Sequence, residues 1–194
     1  GTPAPPAPVD GEPPDLAIGV FGDERGVVQR AVQRAVATGS RCHLVTDPDP
    51  RLVLDHSDVI VVLDWPPDDA PPTACLAAMA AGRSLVTFDI EATVGWPTFD
   101  PQAGRSRAAD VAPIAVTLDP RDEEHSLMLA IRRLAADPSL RRGLARAGHE
   151  WWATHATPAH AAAAWTSVLA EARGLVPPRG AGWPAHLSDR KSTR

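Results

Sequence analysis

Continuous apolar runs alternate with stretches whose apolar positions recur every three or four residues, and this alternation is the chain's strongest signal. Leu16-Ala17-Ile18-Gly19-Val20-Phe21 is apolar without interruption up to Gly22, the pattern of a strand covered on both faces. Val28, Ala31, Val32, Ala35 and Val36 then follow at helical spacing as far as Gly39, a suitable stop. Cys42-His43-Leu44-Val45 predicts a second short strand, and Val59-Ile60-Val61-Val62-Leu63, the richest β-branched run, a third. Thr73 to Ala81 reads as a helix, entered through Pro71-Pro72 and closed by Gly82, and Leu85-Val86-Thr87-Phe88 as a fourth strand. Residues 89–111 keep no period and carry Gly95, Pro97, Pro101 and Gly104, which predicts a long loop. Pro113-Ile114-Ala115-Val116 follows as a short edge strand, because a proline cannot donate to a central ladder.

The rest of the pattern is helical. Leu127, Ala130, Ile131 and Leu134 share one face, and Asp137-Pro138 and Thr157-Pro158 each set a capping side chain before a proline at a first helical position. Leu140, Leu144, Ala147 and Trp151 line the first of the helices begun there; Ala161, Trp165, Val168 and Leu169 line the second. Strands alternating with helices, then a closing helical cluster, predict an α/β fold: a Rossmann-like doubly wound parallel sheet over residues 15–173. Before it, residues 1–14 hold six prolines and read as a stiff linker; beyond it, residues 174–194, with Pro177, Pro178, Gly180 and Gly182, read as an irregular tail.

Composition narrows the function classes. Of 194 residues, 44% are hydrophobic and 22% charged, as in a soluble globular protein, and no apolar stretch reaches the roughly 20 residues that cross a bilayer. A net charge of -5 with scattered arginines argues against nucleic acid as a partner. No signal-like segment opens the chain, and two cysteines on separate elements, Cys42 and Cys75, make neither a disulfide framework nor a zinc site, so a cytoplasmic setting is expected. Lys191 is the sole lysine, which leaves none for chemistry within residues 15–173.

In doubly wound sheets, ligands gather where strands end at their carboxyl side. After the first strand stands Gly22-Asp23-Glu24-Arg25-Gly26, a cation near a helix start whose N–H groups suit an anion. It has neither a GxGxxG fingerprint nor a Walker lysine, and read alone it fits an ordinary capped turn better than an anion site. After the third strand stands Asp64-Trp65-Pro66-Pro67-Asp68-Asp69-Ala70-Pro71-Pro72, running into Thr73-Ala74-Cys75-Leu76-Ala77-Ala78-Met79-Ala80-Ala81-Gly82.

That segment resembles the donor lobe of group-one glycosyltransferases of the GT-B architecture. There an acidic residue, a proline three positions on and Leu-Glu-Ala-Met-Ala-x-Gly precede a strand, and Asp69, Pro72, Leu76, Ala78, Met79, Ala80 and Gly82 match in register. The resemblance extends over most of residues 16–172, through His56-Ser57-Asp58-Val59 before the third strand and through Asp119 to Leu169. It implies a nucleotide diphosphate sugar as ligand and no metal or other cofactor. Gly22, Arg25 and Gly26 would hold the diphosphate, Arg25-Gly26 standing in the family's Lys-Gly position. Asp69 would meet the sugar hydroxyls, and Ala70, Thr73 and Ala74 would offer the helix start. An amino-terminal, acceptor-binding lobe, not contained in this chain, would complete a transferase.

Departures from the family pattern are specific. Its second glutamate, which meets the ribose, is Ala77 here; Asp23 and Glu24 put acids where an additional arginine is usual; and the connection from Val45 to Leu52 is too short for the customary extra strand and helix, so a trimmed sheet is expected. These changes equally suit a degenerate, noncatalytic lobe kept for structure or for binding a partner. A third reading, a receiver-like phosphoacceptor domain binding magnesium, draws on Asp23, Glu24, Asp64 and Thr87, yet lacks the lysine after the fifth strand.

Other chemistry finds less support. His149-Glu150 followed by His155 misses the HExxH zinc spacing, and Ser57 lies outside any Gly-x-Ser-x-Gly elbow. His43 and His56 suit packing or capping at a sheet end. Trp151, Trp152 and Trp165 read as core or interface residues, whereas Trp96 and Trp183 in loops are suited to stack on a base or sugar.

Overall fold

The computed structural model describes residues 15–23, 25–63 and 73–175; segment 1–14, Glu24, residues 64–72 and residues 176–194 lie outside the described residues. The described strands are β1 (Leu16–Phe21), β2 (Cys42–Val45), β3 (Val59–Val62), β4 (Ser84–Phe88), β5 (Thr98–Asp100), β6 (Arg105–Ser106) and β7 (Ala115–Leu118). The helices are α1 (Val27–Ala37), α2 (Pro50–His56), α3 (Thr73–Ala80), α4 (Glu123–Ala136), α5 (Pro138–His155) and α6 (Pro158–Gly174). One sheet runs in the order β2-β1-β3-β4-β7-β5-β6. Every pairing is parallel except that of β5 with β6.

The continuous apolar runs become strands covered on both sides. Val59, Val61, Val86 and Phe88 face one core with α1 and α4, whereas Ile60, Val62 and Leu85 face a second core with α2 and α3. Val53 of α2 reaches this second core because Gly19 leaves room. A methyl added at Gly19 would meet Ser57 Oγ at 2.5 Å and Val53 Cγ1 at 2.6 Å. The alanine-rich α3 buries Cys75, Ala78 and Met79, and its small side chains let it pack against β4 and α5.

Three features depart from the sequence reading. β7 is not an edge strand: it lies between β4 and β5, with all four residues buried. Pro113 stands before the strand rather than in it, and Ile114 N–H donates to the Pro97 carbonyl at 2.8 Å, so the ladder loses no donor. Residues 89–111 are not simply a loop, since they hold a 3-10 turn, Glu91–Thr93, and the strands β5 and β6. Segments of two or three residues are too short to show a period, and the turn before β6 is built locally by the Asp100 carboxylate, which accepts Gln102 N–H and Ala103 N–H at 2.8 and 3.0 Å. Finally, Val36 closes the α1 pattern but is 49% exposed.

The chain divides into two compact units, one through Ala156 and one from Thr157 onward. In the second, α6 starts where expected: Thr157 Oγ1 accepts His160 N–H at 3.4 Å and Pro158 occupies the first turn. None of its residues is buried, so Trp165, at 66% exposure, is not a core residue. No helix among the described residues is long and apolar enough to cross a membrane.

Candidate functional site

From β1 the chain crosses through α1 to β2 on one side, then returns through α2 to β3 on the other side of β1. Helices α1 and α4 pack on one core and α2 and α3 on the opposite one. The winding therefore reverses between β1 and β3, where a doubly wound sheet opens a crevice at its carboxyl edge. Phe21 and Val62, the last residues of these strands, are direct partners in the ladder. Gly22 and Leu63, the residues that follow them, consequently lie side by side, Leu63 N–H donating to the Phe21 carbonyl at 3.2 Å.

The first loop carries the predicted Gly22, Arg25 and Gly26. Gly26 has φ 65°, a left-handed turn that lets α1 begin at Val27 without a steric cost. Asp23 fills the helix start: its Oδ1 accepts Val27 N–H at 2.7 Å and its Oδ2 accepts Val28 N–H at 3.0 Å. The two N–H groups that suit an external anion thus hold an internal carboxylate. Arg25 extends from the turn and donates through Nη2 to Glu123 Oε2 at 2.6 Å, in the first turn of α4. An anion entering here would have to compete with Asp23 for the helix start and with Glu123 for the guanidinium.

Of the second loop, Asp69 and Ala70 lie outside the described residues, as do Asp64, Asp68, Pro71 and Pro72. Thr73 and Ala74 form the first turn of α3, the former exposed and the latter half-buried. Ala77 is half-buried one turn further on, beside the buried Ala78.

Next to this crevice is a polar group that the sequence reading missed. Asp89 directly follows β4 and Asp119 directly follows β7, and Asp89 N–H donates to the Leu118 carbonyl at 2.8 Å, tying the two strand ends together. With Arg107, Pro120 and Arg121 they line a cavity of about 350 Å³. Arg107 forms an ion pair with Asp89 and approaches Asp100 at 3.9 Å. Arg121 grips Asp119 with two side-chain contacts of 3.1 Å, and this hydrogen bonding, reinforced by the Arg121 backbone N–H, holds the Asp119 carboxyl below its ordinary range. The signal available in the sequence was position alone: each aspartate is the first residue beyond a buried strand.

Several other predicted residues lie elsewhere. Asp58 precedes β3, at the amino edge, and its Oδ2 accepts Ala17 N–H at 3.0 Å. His56 Nδ1 lies 2.9 Å from the Leu52 carbonyl at the end of α2, and His43 is exposed on β2. Ser57 is buried and donates to the Val53 carbonyl at 2.6 Å. Thr87 is buried beneath α3, accepting from Cys75 Sγ at 3.7 Å, and Asp119 follows β7, the fifth strand along the sheet from β2, where a phosphoacceptor domain needs lysine. Trp96 packs against Trp151 with centroids 5.3 Å apart, and His149 Nδ1 lies 3.2 and 3.1 Å from the Met79 and Ala80 carbonyls at the end of α3. Trp183 lies outside the described residues. No group of three or more His, Cys, Asp or Glu among the described residues is placed to hold a metal ion.

No protein-family model matches the sequence, and no curated protein matches it. Among solved structures, CalG4, described as the calicheamicin glycosyltransferase, is similar at a TM-score of 0.44 and 23% identity, over 86% of this chain. The matched part amounts to 46% of that protein's chain.

Proposed function

We propose that this chain is a donor-binding domain of the glycosyltransferase type, taking a nucleotide diphosphate sugar at the carboxyl edge between β1 and β3. The observation that supports the reading is the Phe21–Val62 pairing, because it sets Gly22 and Leu63, the residues that follow the two strands, side by side at the carboxyl edge where the winding reverses. In this reading the diphosphate takes the α1 start and Arg25, displacing the contacts of Asp23 and Glu123. Asp69 orients the sugar hydroxyls, and the N–H groups of Thr73 and Ala74 add donors preorganised for the departing diphosphate. No metal is invoked, and transfer to an acceptor requires a second lobe.

A second reading, a noncatalytic lobe of the same ancestry, is favoured by a separate observation: Asp23 already occupies the helix start and Glu123 already engages Arg25. Ala77, in place of a ribose-binding carboxylate, agrees with it. Calorimetric titration with UDP-, GDP-, ADP- and TDP-sugars separates the two. Saturable binding of at least one, weakened by Arg25→Ala and by Asp69→Ala, supports a working donor site, whereas no binding of any of them leaves only the noncatalytic reading.

A further inference from the structure

At the opposite edge of the sheet, where β4 begins, three arginines converge on one cavity, and we propose that it binds a phosphoryl group. The cavity, about 260 Å³, is lined by Arg83 between α3 and β4, by Arg141 and Arg142 in the first turns of α5, and by Asp58 and Ser84. Its size suits a phosphate or phosphomonoester head rather than a whole nucleotide.

Two of the guanidinium groups are held in place by neutral acceptors. Arg83 Nη2 donates to the Asp55 carbonyl at 3.1 Å, and Arg141 Nη1 donates to the Leu134 carbonyl and, at 3.4 Å, to that of Ala135. Carbonyls orient a guanidinium without cancelling its charge. None of the three arginines forms an ion pair among the described residues, whereas Arg25, Arg30, Arg34, Arg41, Arg107 and Arg121 do. The Arg83 Nε is buried and has no hydrogen-bond acceptor in the structure.

Two carboxylates lie nearby and keep their charge, Asp137 attracting Arg141, although their oxygens are partly engaged by backbone donors. Asp58 Oδ2 accepts Ala17 N–H at 3.0 Å, and Asp137 accepts Ser139 N–H and Leu140 N–H, each at 2.9 Å, at the start of α5. Ser84 Oγ is likewise spent, donating to the Arg141 carbonyl at 2.8 Å. Three guanidinium groups against two carboxylates leave an excess of positive charge beside the positive end of an 18-residue helix. Guanidinium forks match the oxygens of a phosphoryl dianion, with several acceptors and two charges, better than those of a single carboxylate.

The test uses the full chain and inorganic phosphate, with ionic strength matched by chloride. Saturable binding in calorimetry and a rise in Tm are expected. Arg142→Ala, at an exposed position, and Arg83→Gln should each weaken binding by about tenfold, the loss of one charge-assisted contact. Arg105→Ala, an exposed arginine on β6 that lines neither the cavity nor the crevice, should leave the phosphate affinity as it was. Sedimentation with phosphatidic acid vesicles, set against phosphatidylcholine alone, distinguishes the source. Vesicle binding lost in the same variants assigns the phosphoryl group to a lipid headgroup, and phosphate binding without vesicle binding assigns it to a soluble phosphomonoester. An affinity unchanged by Arg142→Ala and Arg83→Gln, or no saturable binding beyond the chloride control, overturns the proposal.

Discussion

Replacing Asp23 by alanine should move stability and anion affinity in opposite directions. The carboxylate accepts two backbone N–H groups of α1, from Val27 at 2.7 Å and Val28 at 3.0 Å, and its charge faces the positive end of the helix. Losing a capping side chain costs about 0.5–2 kcal/mol. Here both oxygens are used, the acceptor is charged, and α1 must stay helical to bury Val27, Val28, Ala31, Val32 and Ala35, so about 1.5–2 kcal/mol is expected. At roughly 2–4 °C per kcal/mol for a chain of this length, Tm should fall by about 3–8 °C. Urea unfolding followed by far-UV circular dichroism measures the same loss as a lower midpoint at constant slope. The substitution also bares two N–H donors and removes a negative charge where the proposed diphosphate would lie. Nucleotide affinity in calorimetry should therefore rise by about five- to tenfold, roughly 1 kcal/mol. A variant as stable as the parent would show that the cap contributes nothing. Weaker nucleotide binding by a folded variant would show that Asp23 does not stand in the anion's place.

Three further outcomes follow from particular contacts. Gly19→Ala should cost about 1–3 kcal/mol in urea unfolding, because its methyl would lie 2.5–2.7 Å from Ser57, Val53 and Ile60; a stability equal to the parent's would refute the close approach of α2 to β1. Asp137→Ala should cost about 1 kcal/mol near neutral pH through loss of the α5 cap. The Asp137 carboxyl is held below its ordinary 3.8 mainly by Leu140 N–H and then by the Ser139 side chain. Its contribution is thus present above that value and lost as pH falls through the lower folded pKa, so parent and variant should converge in acid; a gap that persists there would contradict the linkage. Cys42, whose thiol pKa is raised first by burial and then by Asp15, should react with a thiol reagent far more slowly in the native than in the urea-unfolded chain, and equal rates would refute its burial.

How much could be read without coordinates depends on how local the signal is. The apolar runs Leu16–Phe21, Val59–Leu63 and Leu85–Phe88 report their own two-sided burial, and Asp137-Pro138 and Thr157-Pro158 mark their own helix starts, since the capping groups lie within three residues of each other. Those elements were legible, and so was their doubly wound alternation. The interior position of β7 was not, because lateral order depends on which crossovers close. Nor could the run 89–111 announce β5 and β6, whose few residues pair only once the neighbouring strands are in place. The same division holds at the sites. Chain position alone pointed to the β1 and β3 ends as the crevice. Only the tertiary structure gave Arg25 a partner 98 residues away in Glu123, joined Asp89 to Arg107 and Asp119, and gathered Arg83 with Arg141 and Arg142. Hydrophobic periodicity is written residue by residue along the chain, whereas the charge a guanidinium meets is decided by the parallel sheet that brings distant segments to one edge.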